Sequence, residues 1–471
     1  MVTIAIIAAF SIASLTAFGF LIVHDPVSDL AEHLPGEDGR PVGLPPSDTV
    51  AIGRWFQRFD GIPSENSASW PGFRGPSRDN ASRDATPLAV PTADWRPPIL
   101  WSVALGEGHA GAAVANGRVY VLDYDEARQA DSLRCFSLDD GKEIWRRWYT
   151  VRLKRNHGIS RTIPAVNGTH VVTIGPNCQL MCCDARTGEL AWGIDLVREH
   201  GAEVPLWYTG QCPLIDGSQA VIAVCGAETL LMGVDLATGR IAWRTPNPMK
   251  LKMSHSSIIK TTIGGVRTYV YAAIGGIIGV SAEPANRGSL LWNSAAFDAT
   301  VIAPSPVPLE DGRIFLTAGY GAGSIMLRVG RTGGSFATEV LYRHRPAEGF
   351  ACEHQTPLLY RGALIGVLPK DAGPKREELA CWDPEGRWLW SSGQTARFGL
   401  GPYLLADGKL VVLDEDGTLN MAEASTTAYR PLGSAKILDG PDAWAPMALV
   451  AGRLIARDTH RMVCVDLRRD R

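Results

Sequence analysis

The chain has 471 residues, 45% hydrophobic and 20% charged, with a formal net charge of −3. This length admits two or three ordinary domains or one repeat domain, and the composition is the profile of a soluble globular protein. The near-balance of charge, with no Arg/Lys-rich run interleaved with aromatics, gives no basic field for nucleic acid, and none is expected as a partner.

The first element is residues 1–23. From Val2 to Val23 the chain carries no charge and is mostly apolar (VTIAIIAAFSIASLTAFGFLIV), about the ~20 residues a helix needs to cross a bilayer core. It lacks a basic n-region, and the apolar run continues past the small residues at Ser11 to Ala13, so one uncleaved transmembrane helix is expected rather than a signal peptide. Five acidic residues (Asp25, Asp29, Glu32, Glu37, Asp38) precede the first basic one, Arg40. The positive-inside tendency then favours export of the large domain.

Residues 24–98 are rich in Pro, Ser, Asp and Gly, lack periodicity and read as a linker. Within them WPGFRGPSRDN, Trp70 to Asn80, has the aromatics of a short segment docked on a neighbour.

From residue 99 to 471 the pattern is strand, turn, strand. Asn116-Gly117, Asn167-Gly168, Asp216-Gly217, Asp311-Gly312 and Asp407-Gly408 precede β-rich runs such as RVYVLD and KLVVLD, and such pairs favour tight antiparallel turns. Six tryptophans recur, Trp101, Trp145, Trp192, Trp243, Trp292 and Trp390, at spacings of 44, 47, 51, 49 and 98 residues. Most close one phrase, as in CCDARTGELAW and GVDLATGRIAW. Four strands per period of about 45 residues make a propeller blade. The last unit has three strands, whereas ILWSVAL around Trp101 is a fourth strand with none before it. An N-terminal strand completing the last blade removes both free edges. With Tyr342 and Leu432 in two tryptophan slots, the count is eight blades in an all-β fold.

The phrase Asp-x-x-Thr-Gly-x-x-x-Trp, complete at Asp184 to Trp192 and Asp235 to Trp243, resembles the tryptophan-docking repeat of the pyrroloquinoline-quinone propeller superfamily. That superfamily includes quinoprotein dehydrogenases and the non-enzymatic B subunit of the outer-membrane β-barrel assembly machinery. WPGFRGPSRDN followed by ILWSVALGEGHAGAAVANGRVYVLD is similar to uncharacterised membrane-linked members in planctomycete-type bacteria. The resemblance spans residues 70–467. It implies that the six tryptophans pack against neighbouring blades, and that the protein sits in the bacterial inner membrane with its propeller in the periplasm. It also implies that pyrroloquinoline quinone and Ca²⁺ are the cofactors to test for, and that Cys182-Cys183 echoes the vicinal disulfide of several dehydrogenases. Regular strand geometry, which points adjacent side chains to opposite faces, favours packing for that pair instead. Cys135, Cys182, Cys381 and Cys464 share one slot of the repeat, as expected of a buried packing residue.

The loops leading into each blade are expected to converge on one mouth of the channel, and they are polar. They carry His109, His157, Arg161, Tyr208, Gln211, His255, His354, Arg397 and Trp444 as candidate ligand-binding residues. A quinoprotein centre needs oxygen ligands for a hard cation beside a general base. Glu353 and Gln355 are the candidate metal ligands and Asp442 the candidate base. There is no Cys-x-x-Cys-His haem motif, no nucleophile elbow, and GYGAGS (Gly319 to Ser324) reads as a hairpin turn rather than a nucleotide loop. Lean blades, an anchor and no complete cofactor set lead to a binding or scaffold module engaging an envelope protein or small ligand. The alternative is a quinone- and Ca²⁺-dependent dehydrogenase of alcohols or sugars.

Overall fold

In the computed structural model, residues 50–92, 94–156 and 158–469 are described. Among them no helix is long and apolar enough to cross a membrane; the Val2 to Val23 segment and His157 lie outside the described residues. Eight antiparallel sheets follow one another along the chain. We number them as blades 1 to 8: 113–150, 165–195, 214–246, 259–294, 307–344, 358–391, 403–436 and 448–466. The outermost strand of blade 8 is Ile99–Ala104, which pairs antiparallel with Arg461–Asp466 and sets Trp101 opposite Cys464. The propeller is closed by its own beginning.

The repeat residues each have a physical task. Turns such as Asn116-Gly117 (φ 50° and 69°) and Asp407-Gly408 (φ 48° and 66°) hold both central residues left-handed, the geometry that matches strand twist. Asp184 accepts from the backbone N–H of Arg186 at 2.9 Å and of Thr187 at 2.6 Å, closing the turn before the outer strand. Opposite each docking tryptophan stands a small slot on the third strand. Cys135 faces Trp145, Cys182 faces Trp192 and Cys381 faces Trp390, while Gly233 and Gly279 face Trp243 and Trp292. A Cβ on Gly233 or Gly279 would fall 2.2 Å or 2.1 Å from the opposing indole nitrogen. All nine thiols are free and buried, Cys182 and Cys183 included.

Five of the six tryptophans also reach the next blade. Trp101 donates its indole N–H to the Leu138 carbonyl (2.9 Å), Trp192 to Leu236 (2.8 Å) and Trp390 to Ser425 (3.1 Å). The glycine of the following turn lies under the ring. Cβ atoms added to Gly141, Gly188, Gly239 and Gly288 would meet Trp101, Trp145, Trp192 and Trp243 at 2.6–2.8 Å. Those glycines serve close approach as well as left-handed backbone. Tyr342 fills the tryptophan slot of blade 5 and lies beside Gly386 of blade 6.

The N-terminal segment is built into the ring. Trp55–Arg58 adds a fifth, outermost strand to blade 1, and the Arg147 guanidinium ties it down through the Gly53 and Gly188 carbonyls. Trp70, 2% exposed, exchanges backbone hydrogen bonds with Val114 of blade 1, and Pro71 accepts from Val166 of blade 2. Arg74 donates to Pro357 at the entry to blade 6, and Arg78 to Pro213 at the entry to blade 3. Asn80 donates to the Tyr403 carbonyl, and residues 80–82 bridge Leu405 of blade 7. A stretch touching the innermost strands or their lead-in residues on so many sides of the ring fills the central channel. WPGFRGPSRDN is a plug.

Candidate ligand-binding mouth

The loop from the outer strand of one blade to the inner strand of the next shares a face with the turns joining second and third strands. Side chains join neighbouring loops along the inner lip. The Ile163 N–H donates to the Cys212 sulfur (3.2 Å), Cys212 N–H to Ser257 (2.9 Å), Ser257 N–H to Ser305 (3.1 Å) and Ser305 N–H to Thr356 (2.9 Å). This belt spans the lead-ins of blades 2 to 6. Its sequence signal is a Cys, Ser or Thr at one position of successive loops, usually before proline: Cys212-Pro213, Ser305-Pro306, Thr356-Pro357.

Above the belt stand two aromatic groups. In the first, Trp444 stacks on His109 (centroids 5.0 Å apart, planes 23°) and meets His354 edge-on at 5.3 Å. The Lys370 ammonium lies 5.7 Å from the Trp444 ring, whose N–H donates to Glu415 at 3.2 Å. In the second, Trp207 stacks on His255 (6.2 Å, 22°) and leans on Tyr320 (5.7 Å, 33°). Trp207 and Tyr208 are both left-handed, φ 59° and 72°, a strained pair for bulky residues. The strain is held by Arg161, which donates to the Trp207 carbonyl at 2.6 Å, and by the Tyr208 hydroxyl, which donates to Lys154 at 2.7 Å. Near Trp207 a depression of about 210 Å³ has a mixed lining, apolar at Val204, Leu206, Met253 and Ile274 and polar at Glu203, Lys252 and His255.

The electrostatics follow from burial. Desolvation pushes the Arg161 guanidinium down to about 10. It pushes His255 to about 3, with Arg161 and then His354 adding repulsion, and His354 to about 4, with Arg161 and Lys370 adding theirs. Both imidazoles are therefore neutral at pH 7. Burial raises the Glu353 carboxyl above its ordinary value.

The sequence-selected residues divide into two kinds. His109, Arg161, His255, His354 and Trp444 take part in the aromatic groups or adjoin them. Gln211 braces the fold, its wholly buried amide exchanging two 2.7 Å hydrogen bonds with the backbone of Ala223. Tyr208 braces the loop below. Arg397 is bound to the carbonyls of Gln394, Arg376 and Pro374, and pins the 374–376 turn. Trp207, Tyr320, Lys370 and Glu415 were not selected from the sequence. Tyr320 and Glu415 sit in turns between second and third strands, whose signal is their sharing the entry-loop face.

The residues suggested for a quinone-bound Ca²⁺ have the following partners. The Gln355 amide donates to the Trp444 carbonyl at 2.8 Å, and Glu353 takes the Lys370 N–H at 3.3 Å with its other oxygen 3.9 Å from His354. Asp442, left-handed at φ 57°, uses its carbonyl to accept the Trp444 N–H. Among the described residues no group of three or more His, Cys, Asp or Glu is placed to hold a metal ion.

Residues 129–335, under half of the chain, match the family described as outer membrane protein assembly factor BamB. The whole fold is similar to BamB from Moraxella catarrhalis, with a TM-score of 0.51 and 12% identity over 79% of this chain and 100% of that one. It is also similar to the quinohemoprotein alcohol dehydrogenase of Comamonas testosteroni (TM-score 0.57, 13% identity, 86% and 81% covered). A europium-containing methanol dehydrogenase matches with a TM-score of 0.54 and 11% identity, over 83% and 89%. No curated protein matches the sequence. At such identities the likeness is one of fold, and activity has to be argued from the site.

Proposed function

We propose that this eight-bladed propeller, similar over residues 129–335 to the BamB family, is a binding or scaffold module, exported and held to the bacterial inner membrane by residues 1–23, with the entry-loop mouth as its docking face. One observation carries this reading: amide and carboxylate groups of the mouth, at Gln211, Gln355 and Glu415, are committed to bracing loops, while the rings of Trp207, Tyr320 and Trp444 stand with neutral imidazoles and the cations Arg161 and Lys370. Trp, Tyr and Arg are the side chains that concentrate binding energy at interfaces, and Trp207, Tyr320 and Arg161 stand together near a depression of mixed lining. A protein partner in the envelope is consistent with the matched family's description as an outer membrane protein assembly factor.

The dehydrogenase is the second reading, favoured by the fold shared with alcohol-oxidising neighbours. Titrating the purified full chain with pyrroloquinoline quinone and Ca²⁺, followed by absorbance and melting temperature, separates the two. The expected result is no shift at micromolar quinone. Saturable binding with dye-linked alcohol oxidation overturns the module reading.

A further inference from the structure

The plug brings two guanidinium groups into the channel. Arg74 is 4% exposed, donates one hydrogen bond through Nη2 to Pro357 at 2.9 Å, and has a buried Nε with no partner. Arg78 donates through Nη1 to Pro213 at 3.2 Å, lies 5.8 Å from the Phe73 ring, and has both Nε and Nη2 buried without partners. Among the described residues neither lies within ion-pair distance of a carboxylate. Asp79, the nearest acidic influence on Arg74, is paired with Arg83 at 2.6 Å. Burial lowers both guanidiniums to about 10, and Arg78 depresses Arg74 further. Buried charge is ordinarily neutralised by a partner, because an isolated ion in a low-dielectric interior is costly. Here the neighbouring groups are prolyl carbonyls, the Tyr403 hydroxyl and the Cys212 thiol, none of which carries a negative charge at neutral pH.

We propose that the plug and the channel wall form a buried oxyanion site, in which a phosphate-type ion or a carboxylate takes the three orphaned N–H donors of Arg74 and Arg78. The fork geometry of guanidinium suits a planar or tetrahedral oxyanion. The site is distinct from the aromatic mouth and does not depend on what the mouth binds. WPGFRGPSRDN thereby gains a purpose beyond filling space: its two arginines make the plug's seating responsive to an anion.

The test is calorimetric titration of the full chain, extensively dialysed, with phosphate, sulfate, acetate and chloride at constant ionic strength. Saturable binding of phosphate or sulfate supports a phosphate-type ion, and binding of acetate in preference supports a carboxylate. Arg78→Met is expected to weaken either by about tenfold or more, the loss of one charged hydrogen-bonding partner. Arg78→Lys, which keeps charge but not the fork, is expected to fall between. Crystals soaked in selenate give a second readout that needs no variant, an anomalous peak between Arg74 and Arg78. Binding of chloride alone, affinity unchanged in Arg78→Met, or no oxyanion binding together with no anomalous peak overturns the proposal.

Discussion

At the residue scale the docking tryptophans are not equivalent. Trp192 has its indole N–H on the Leu236 carbonyl, whereas the buried indole nitrogen of Trp145 has no partner. Trp192→Phe should therefore cost roughly 1 kcal/mol more than Trp145→Phe, since only the former strips a carbonyl of its donor; urea midpoints of the two variants check this. The mouth histidines predict a pH dependence. His255 and His354 have folded values of about 3 and about 4, below the unfolded value near 6.5. The unfolded chain thus binds protons first as pH falls, so their contribution is intact above about pH 6.5 and is lost progressively toward pH 4 and below. Asp131 and Asp414, raised by burial to about 7, act oppositely, because the folded state is the first to be protonated there. The comparison that isolates the imidazole is between parent and His354→Gln: melting temperature should fall less steeply from pH 6.5 to 4 in the variant, and identical slopes would refute the assignment.

At the scale of the element, the blade was legible because its signals are local. Turn glycines, the Asp-x-x-Thr-Gly turn and the tryptophan spacing fix four strands and their register without knowledge of the neighbours. The slot opposite the tryptophan was legible where it is cysteine, and less so where it is Gly233 or Gly279. The reason for glycine is a side chain on another strand. Gly279→Ala should cost about 1–3 kcal/mol by overpacking against Trp292, while Cys182→Ala, in the equivalent slot of blade 2, should cost less; thermal unfolding of both tests the equivalence. The mouth was half legible. Polar residues in entry loops are visible in the sequence, but whether Gln211 or Arg397 faces a ligand or a backbone carbonyl depends on the path of the adjoining loop. Tyr320 lies in GYGAGS, legible as a hairpin turn, but the turn's place in the mouth is not, because it is remote in sequence from the loops it joins in space.

At the scale of the whole molecule, closure by Ile99–Ala104 and filling by residues 70–82 make residues 70–104 integral to a ring whose last blade ends at residue 466. A chain beginning at residue 105 would leave Arg461–Asp466 as an open edge with unpaired backbone groups. It should self-associate, read as a concentration-dependent mass in light scattering, and supplying residues 50–104 as a separate peptide should restore the monomer. A monomeric, fully folded truncation would show that closure is dispensable.

The plug also orders events in time. Arg74 and Pro357 are 283 residues apart, and Asn80 and Tyr403 are 323 apart. Synthesis delivers the plug before any blade, and its contacts with blades 6 and 7 can form only after those blades have been made. Contacts so remote in sequence form slowly, and the plug, once enclosed, is held by blades that must separate before it can leave. Such enclosure predicts slow unfolding, which the unfolding rate in urea, compared between the parent and a chain beginning at residue 105, would check.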